Sequence, residues 1–452
     1  MTKDMTRGNP IKLILTFSLP LLIGNIFQQF YNMADTIIVG KFLGVNALAA
    51  VGSTGALSFL VIGFVIGLTG GFGVLVSQKF GAGDEEGVKK AFASSLILSA
   101  IMTVIITIIS VITVKPLLIL MNTPDNILDD ALAYIIVIYA GIAATVFCNI
   151  LSSVLRALGD SKTPLYFLII SSLLNIVLDI VFIRSFGMGP EGAAYATVIS
   201  QGISAILCMI YIVKKFPILR LKKEHWRIDP NYAKTQLRIG IPMALQFAIT
   251  AAGAVILQAA LNGFGSIKIA AYTAALKVQQ VFMQPSISFG VTMATYAGQN
   301  LGAGKIDRIK DGVKKGVIIS IIVSISSTLI VLIFGTAFIK MFVSANDVEV
   351  IETAKHYLNT VSIFYIPLGL IFIFRNTLQG IGDSFVPMMA GFAEMVARTV
   401  VAFTLPKLLD FTGIALADPV AWIAAAVPLT LTYIKRINSM MKEKELSPAT
   451  EQ

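Results

Sequence analysis

The chain runs through one series of long apolar stretches and turns twice. Leu19-Pro20 returns as Ile241-Pro242, Leu43-Gly44 as Phe264-Gly265, and Ala49-Ala50 as Ala270-Ala271. The turn Gln78-Lys79-Phe80-Gly81-Ala82-Gly83 returns as Gln299-Asn300-Leu301-Gly302-Ala303-Gly304, and Gly159-Asp160-Ser161 with Pro164 as Gly382-Asp383-Ser384 with Pro387. Corresponding positions lie 221 to 223 residues apart. Such a chain must build two similar bundles, a plan that secondary transporters use with the substrate path between the halves.

The stretches are membrane-spanning by length. A hydrocarbon core of about 30 Å needs roughly 20 apolar residues as a helix. That ruler gives spans at 12–39, 47–77, 91–114, 130–155, 164–184 and 192–213, then 236–263, 268–297, 316–341, 354–377, 387–406 and 417–434. A charged fraction of 13% and a mean hydropathy of +0.83 exclude an ordinary soluble domain, in which about a quarter of residues are charged. If the N-terminus is cytoplasmic, 26 of the 35 Lys and Arg residues fall in inside segments and seven in outside ones. This bias places both termini inside, and the net charge of +10 is mostly a topogenic signal. No basic module interleaved with aromatics is present, so no nucleic-acid partner is expected.

The expected fold is an all-α polytopic membrane protein of twelve helices. Its lobes are 1–213 and 236–435, with a cytoplasmic connector at 214–235 and a tail at 436–452. Six spans per half make the two bundles pseudo-twofold-related about the membrane normal. His225 reads as a solvated connector histidine. Cys148 and Cys208 fall inside apolar stretches and read as packing, with no disulfide or zinc framework. Gly63, Gly67 and Gly71, at four-residue spacing, suit close helix approach; no phosphate-binding glycine loop exists, and neither a cofactor nor an enzymatic activity is expected.

Polar residues inside spans are expensive and usually face a cavity. Asn25, Gln28, Asn32 and Asp35 share one face of the first span; Ser172, Asn175 and Asp179 share one face of the fifth. Counting helical rise from flanking charges puts Asp35, Asp179, Thr197 and Tyr134 roughly 6–9 Å below the outer edge. They belong to spans one, five, six and four. Together with Asn175 they make an oxygen-rich cage for Na⁺, or a proton-sharing pair. The plainer alternative is that both aspartates snorkel to water at the outer edge. Gln28, Asn32 and Ser172 continue the polar faces inward and are the expected substrate contacts. The second half has Leu257 and Ala402 at the aspartate-equivalent positions, and instead carries Lys277, Glu394 and Arg398. Glu394 and Arg398, at i and i+4, suit an intrahelical salt bridge, and Lys277 lies near enough in height to complete a network.

These residues resemble the MATE (multidrug and toxic compound extrusion) family. The resemblance rests on Gln-x-x-Gly-Ala-Gly after the second and eighth spans, Gly-Asp-Ser before the fifth and eleventh, and the aspartate late in the first. It covers roughly residues 10–435 and is closest to the bacterial drug exporters of the DinF-like and related branches. It implies two six-helix bundles forming a V, alternating between outward- and inward-open states in exchange for H⁺ or Na⁺. It also implies a coupling site at Asp35, Asn175, Asp179 and Thr197 with Tyr134 nearby, and bending of the first helix at Pro20. The NorM-like branch has a glutamate in helix seven where this chain has Thr250, so a second-lobe cation site of that kind is not expected. The reading is an antiporter exporting amphipathic, often cationic drugs, a monomer in the bacterial cytoplasmic membrane. The alternatives are a lipid-linked oligosaccharide flippase of related fold, and an aspartate-rich intramembrane prenyltransferase.

Overall fold

In hydrocarbon every peptide group needs a partner from the protein, and apolar stretches of about 20 residues or more meet that need within themselves as helices. The computed structural model describes residues 3–344 and 346–446, and all its regular elements are helical. The last six residues of the expected tail lie outside that range. The first half holds α1 (Pro10–Leu43), α2 (Val45–Ser53), α3 (Gly55–Gly81), α4 (Glu85–Leu120), α5 (Asp125–Ala140), α6 (Ile142–Ala157), α7 (Lys162–Ile180) with a π turn at Val181–Ser185, and α8 (Pro190–Lys215). Two short 3₁₀ turns, Pro217–Leu219 and Lys223–Trp226, lead to the second half. That half holds α9 (Pro230–Asn262), α10 (Ser266–Gly302), α11 (Ile306–Ile339), α12 (Val348–Ser362), α13 (Tyr365–Gly380), α14 (Phe385–Thr404), α15 (Pro406–Leu409), α16 (Phe411–Ala415) and α17 (Ala417–Leu446).

Nine helices among the described residues are long and apolar enough to cross a membrane, and two bent pairs bring the number to eleven. The twelfth is α10, ample at 37 residues but carrying Lys268, Lys277, Gln279, Gln280 and Gln284. The duplication reaches the backbone. Gly44 and Gly265 (φ 87° and 82°), Gly83 and Gly304 (71° and 68°), and Gly159 and Gly382 (81° and 90°) end helices in the left-handed region, which costs glycine least. The expected fourth and tenth spans are each broken, by 47° between α5 and α6 and by 51° between α12 and α13. At the first break Gly141 lies hard against Val198 of α8. At the second, Pro367 clashes with helical placement of the Ile363 carbonyl four residues earlier. Asp84 starts α4 by accepting from the Gly87 amide at 2.8 Å, and Lys79, 2.9 Å away, with that amide holds its carboxyl below the usual carboxylate range.

The described chain forms two compact units whose limits differ from the lobes expected at 213 and 236. One comprises the residues up to Asp4 with Ile23–Ala248, the other Met5–Leu22 with the chain from Ile249. Connector and helix starts are sorted by their buried partners. In the first unit, Gln236 is fully buried and its Nε2 donates to the Ala91 carbonyl at 2.9 Å. In the second, the Met5 amide donates to Gln299 Oε1 at 2.8 Å, and Leu13, Ile14 and Phe17 join the apolar core. The unit boundary in α1 falls two residues past Pro20, although α1 is a continuous helix through that proline.

Gly63, Gly67 and Gly71 do serve close approach. They face α9 within the first unit, where a Cβ on Gly67 would lie 2.5 Å from the Met243 carbonyl oxygen and one on Gly71 would strike the Gly240 backbone. Gly70, on the same helix, would meet only the flexible end of Met243 at 3.5 Å. Gly71→Ala is therefore expected to destabilise by about 1–3 kcal/mol through overpacking against backbone. Gly70→Ala should be neutral or mildly stabilising. Thermal melts of the two variants in one detergent check this; equal melting temperatures would contradict it.

Candidate cation site

The first unit gathers its polar residues from four helices. On α1, Tyr31 and Asp35 lie one turn apart on one face; on α7, Asn175 lies one turn before Asp179. The α7 ladder loosens into the π turn Val181–Ser185 just after Asp179, a departure from α geometry that is frequent at functional positions. Thr197 comes from α8 and Tyr134 from α5. Asn175 Nδ2 donates to Thr197 Oγ1 at 3.2 Å, and the Tyr31 hydroxyl lies near Thr197. Asp35 and Asp179 are electrostatic neighbours, with both tyrosines within electrostatic reach of the pair. Tyr134 also packs beside Val39, Ala47, Ile183 and Ala193, an apolar cluster next to the site.

Asn175 and Asp179 have no exposed surface, so Asp179 does not snorkel to water. Four oxygens, Asp35 Oδ1, Asn175 Oδ1 and both carboxylate oxygens of Asp179, are buried with no hydrogen-bond donor. A buried acceptor left unsatisfied costs about 1–3 kcal/mol, and more when charged. An all-oxygen set of this kind suits a hard cation or a proton and offers nothing to a soft metal.

The four residues placed by depth, Asp35, Tyr134, Asp179 and Thr197, lie here together with Asn175 from the same face of α7. Tyr31 joins them, and its sequence signal is its position four residues before Asp35 on the same helical face. The expected substrate contacts do not enter the cage. Gln28 Nε2 donates to Asn32 Oδ1 at a long 3.5 Å, Asn32 is exposed, and Ser172 is buried one turn before Asn175.

The second unit holds a different arrangement. Glu394 accepts from Arg398 at 2.9 Å on its own helix and from Arg375 of α13 at 3.0 Å. Arg398 Nε donates to Asp418 of α17 at 2.8 Å, and the Tyr357 hydroxyl of α12 reaches the other Asp418 oxygen at 3.4 Å. All four charged residues are buried. Lys277 is not a member, contrary to the expectation from its height. It is exposed and has no ion-pair partner among the described residues, because its position on α10 turns it away from the network's buried face. Arg375, near the end of the expected span 354–377, and Asp418, which opens the last span, take its place. Neither lies at helical spacing from Glu394 on one helix, so no local pattern announces them.

A family model described as MatE matches residues 20–181 and 242–404, covering both halves. The chain belongs to this family. Two curated relatives, both from Bacillus subtilis (strain 168), are similar along most of their length. The probable multidrug resistance protein YoeA is 29% identical over 443 residues, 96% of this chain and 95% of that one. The probable multidrug resistance protein YpnP is 30% identical over 383 residues, 84% of each. Among solved structures, the crystal structure of MATE in complex with MaL6 superposes with a TM-score of 0.92 at 25% identity, over 98% of this chain and all of that one. The protein is thus a multipass membrane protein of the MATE multidrug efflux transporter family.

Removing one member of a buried ion network strands its partners and typically costs about 3–5 kcal/mol. Glu394→Gln, which strands Arg375 and Arg398, should therefore lower the melting temperature well below that of Lys277→Gln, which touches no ion pair. A double-mutant cycle between Glu394→Gln and Arg398→Gln is expected to show a coupling energy of about 1 kcal/mol or more. Additive effects would mean that the pair does not act as one unit.

Proposed function

We propose that this MATE protein is a secondary antiporter in the bacterial cytoplasmic membrane, with both termini cytoplasmic. It exports amphipathic, often cationic small molecules in exchange for H⁺ or Na⁺ entering at Asp35 and Asp179. The observation that carries the reading is the cluster of four donor-less buried oxygens around those two carboxylates. Two adjacent carboxylates taken out of water need a compensating positive charge. A proton between them, or Na⁺ held by Asp35, Asn175, Asp179 and Thr197, supplies it.

Loading that charge removes the repulsion between α1 and α7 and favours a closer packing of the outer half of α1, hinged near Pro20. A drug contacting Gln28, Asn32 or Ser172 meets a different α1 in the loaded and empty states. Ion and drug then exclude each other through one helix, and alternating access follows from whichever is bound. Tyr31 and Thr197 hold the cage open at a fixed width, while Tyr134 and its apolar neighbours limit water.

The test is transport into proteoliposomes with proton and sodium gradients imposed independently. Asp35→Asn, which keeps the shape but loses the charge, should abolish gradient-driven drug exchange while leaving folding largely intact. Drug affinity in detergent should fall on acidification or Na⁺ addition, with a reciprocal coupling of about 1–3 kcal/mol, and should be flat in Asp179→Asn. The same pH and Na⁺ dependence in wild type and Asp179→Asn would remove Asp179 from the coupling site.

A further inference from the structure

The connector between α8 and α9 is a folded piece of the first unit. Phe216 and Leu219 are buried in the apolar cluster that contains Val88, Ala91 and Phe92 of α4. The Arg220 guanidinium holds the carbonyls of Val213 and Lys214 at 2.9 and 3.2 Å. His225, expected to be solvated, is only 3% exposed. Its Nδ1 accepts from the Lys222 amide at 2.8 Å, so in the neutral ring Nε2 carries the proton and donates to Glu86 Oε1 at 2.6 Å. Glu86, Glu224 and His225 stand close enough to hold a metal ion, but that proton occupies the nitrogen a metal would need. The cluster is a hydrogen-bonded latch.

With His225 pinned inward, its neighbours are turned out. Trp226 is 52% and Ile228 49% exposed, beside exposed Lys222, Lys223 and Arg227. An open cavity of about 600 Å³ is lined by Lys222, Lys223, Glu224 and Arg227. Residues 214–229 carry six Lys or Arg against two acidic residues. Lys222 reaches Glu224 at 3.7 Å, whereas Lys223 and Arg227 have no carboxylate partner among the described residues. Trp belongs at the membrane–water boundary, where its ring is half in apolar surroundings, and clustered cations near a bilayer attract anionic headgroups.

We propose that this face of the connector docks an anionic phospholipid headgroup of the cytoplasmic leaflet, with Lys222, Lys223 and Arg227 on the phosphate and Trp226 and Ile228 at the acyl-chain boundary. The proposal rests on the transporter reading only for its cytoplasmic orientation, and its test involves no transport.

Trp226 and Trp422 are the chain's two tryptophans, and Trp422 is buried. Trp226→Phe thus supplies the background for fluorescence from Trp226. The full chain is reconstituted in vesicles of equal phosphatidylcholine and phosphatidylglycerol, with bromine on the chains of one lipid or the other. Docking predicts stronger quenching of Trp226 when phosphatidylglycerol carries the bromine. Arg227→Gln should lower that preference about fivefold, and the triple change Lys222→Gln, Lys223→Gln and Arg227→Gln should abolish it. A control triple change of the same charge, Lys314→Gln, Lys435→Gln and Lys442→Gln, should leave it intact. Equal quenching by both lipids in wild type overturns the proposal, as does loss of the preference in the control. Loss of the preference on adding inorganic phosphate at matched ionic strength would reassign the pocket to a free anion and overturn it too.

Discussion

A peptide group without a partner costs several kcal/mol in hydrocarbon, and the architecture of this protein follows from avoiding that cost. Its spanning elements are helices, and departures from helical geometry come where another group compensates or where the strand of backbone is protected. The break at Gly141 lies under Val198, and the π turn at Val181–Ser185 follows the buried Asp179. Glycines in the left-handed region close helices at matched positions of both halves. The duplicated sequence therefore repeats its turn chemistry as faithfully as its apolar lengths.

Duplication does not extend to the charged residues inside the spans. The second unit contains Arg375, Glu394, Arg398 and Asp418, two cations and two anions in contact, so its buried charge is already neutral. The first unit places Asp35 beside Asp179 with oxygen atoms that accept from nothing. Both arrangements are costly to desolvate. The difference is that one is complete and the other lacks a positive charge, which the proposed exchange would supply as a proton or Na⁺.

The surface outside the bilayer follows a related logic. The cations of the connector are held outward because His225 and Leu219 are held inward, and the inward contacts are ordinary packing and hydrogen bonding against α4. A segment that reads as a charged tether gains a definite face once one buried residue fixes its rotation.

By itself the sequence determined the helical class, the number of spans and the repeat, because each depends on local length, hydropathy and turn residues. Asp35, Tyr134, Asp179 and Thr197 could be set at one height by helical rise from flanking charges, and Asn175 shares a helical face with Asp179, so much of the cluster was legible although Tyr31 was not. Depth says nothing of rotation about the helix axis, so it gives exposed Lys277 the height of a network it does not join. Arg375 and Asp418 took part instead because three helices, α13, α14 and α17, bring their side faces together, a fact carried by no single segment. The same holds for the sorting of Met5–Leu22 and of the connector into their units, and for the burial of His225. Each of these was decided by long-range packing, in which a residue's neighbours come from chain segments that the local pattern does not relate.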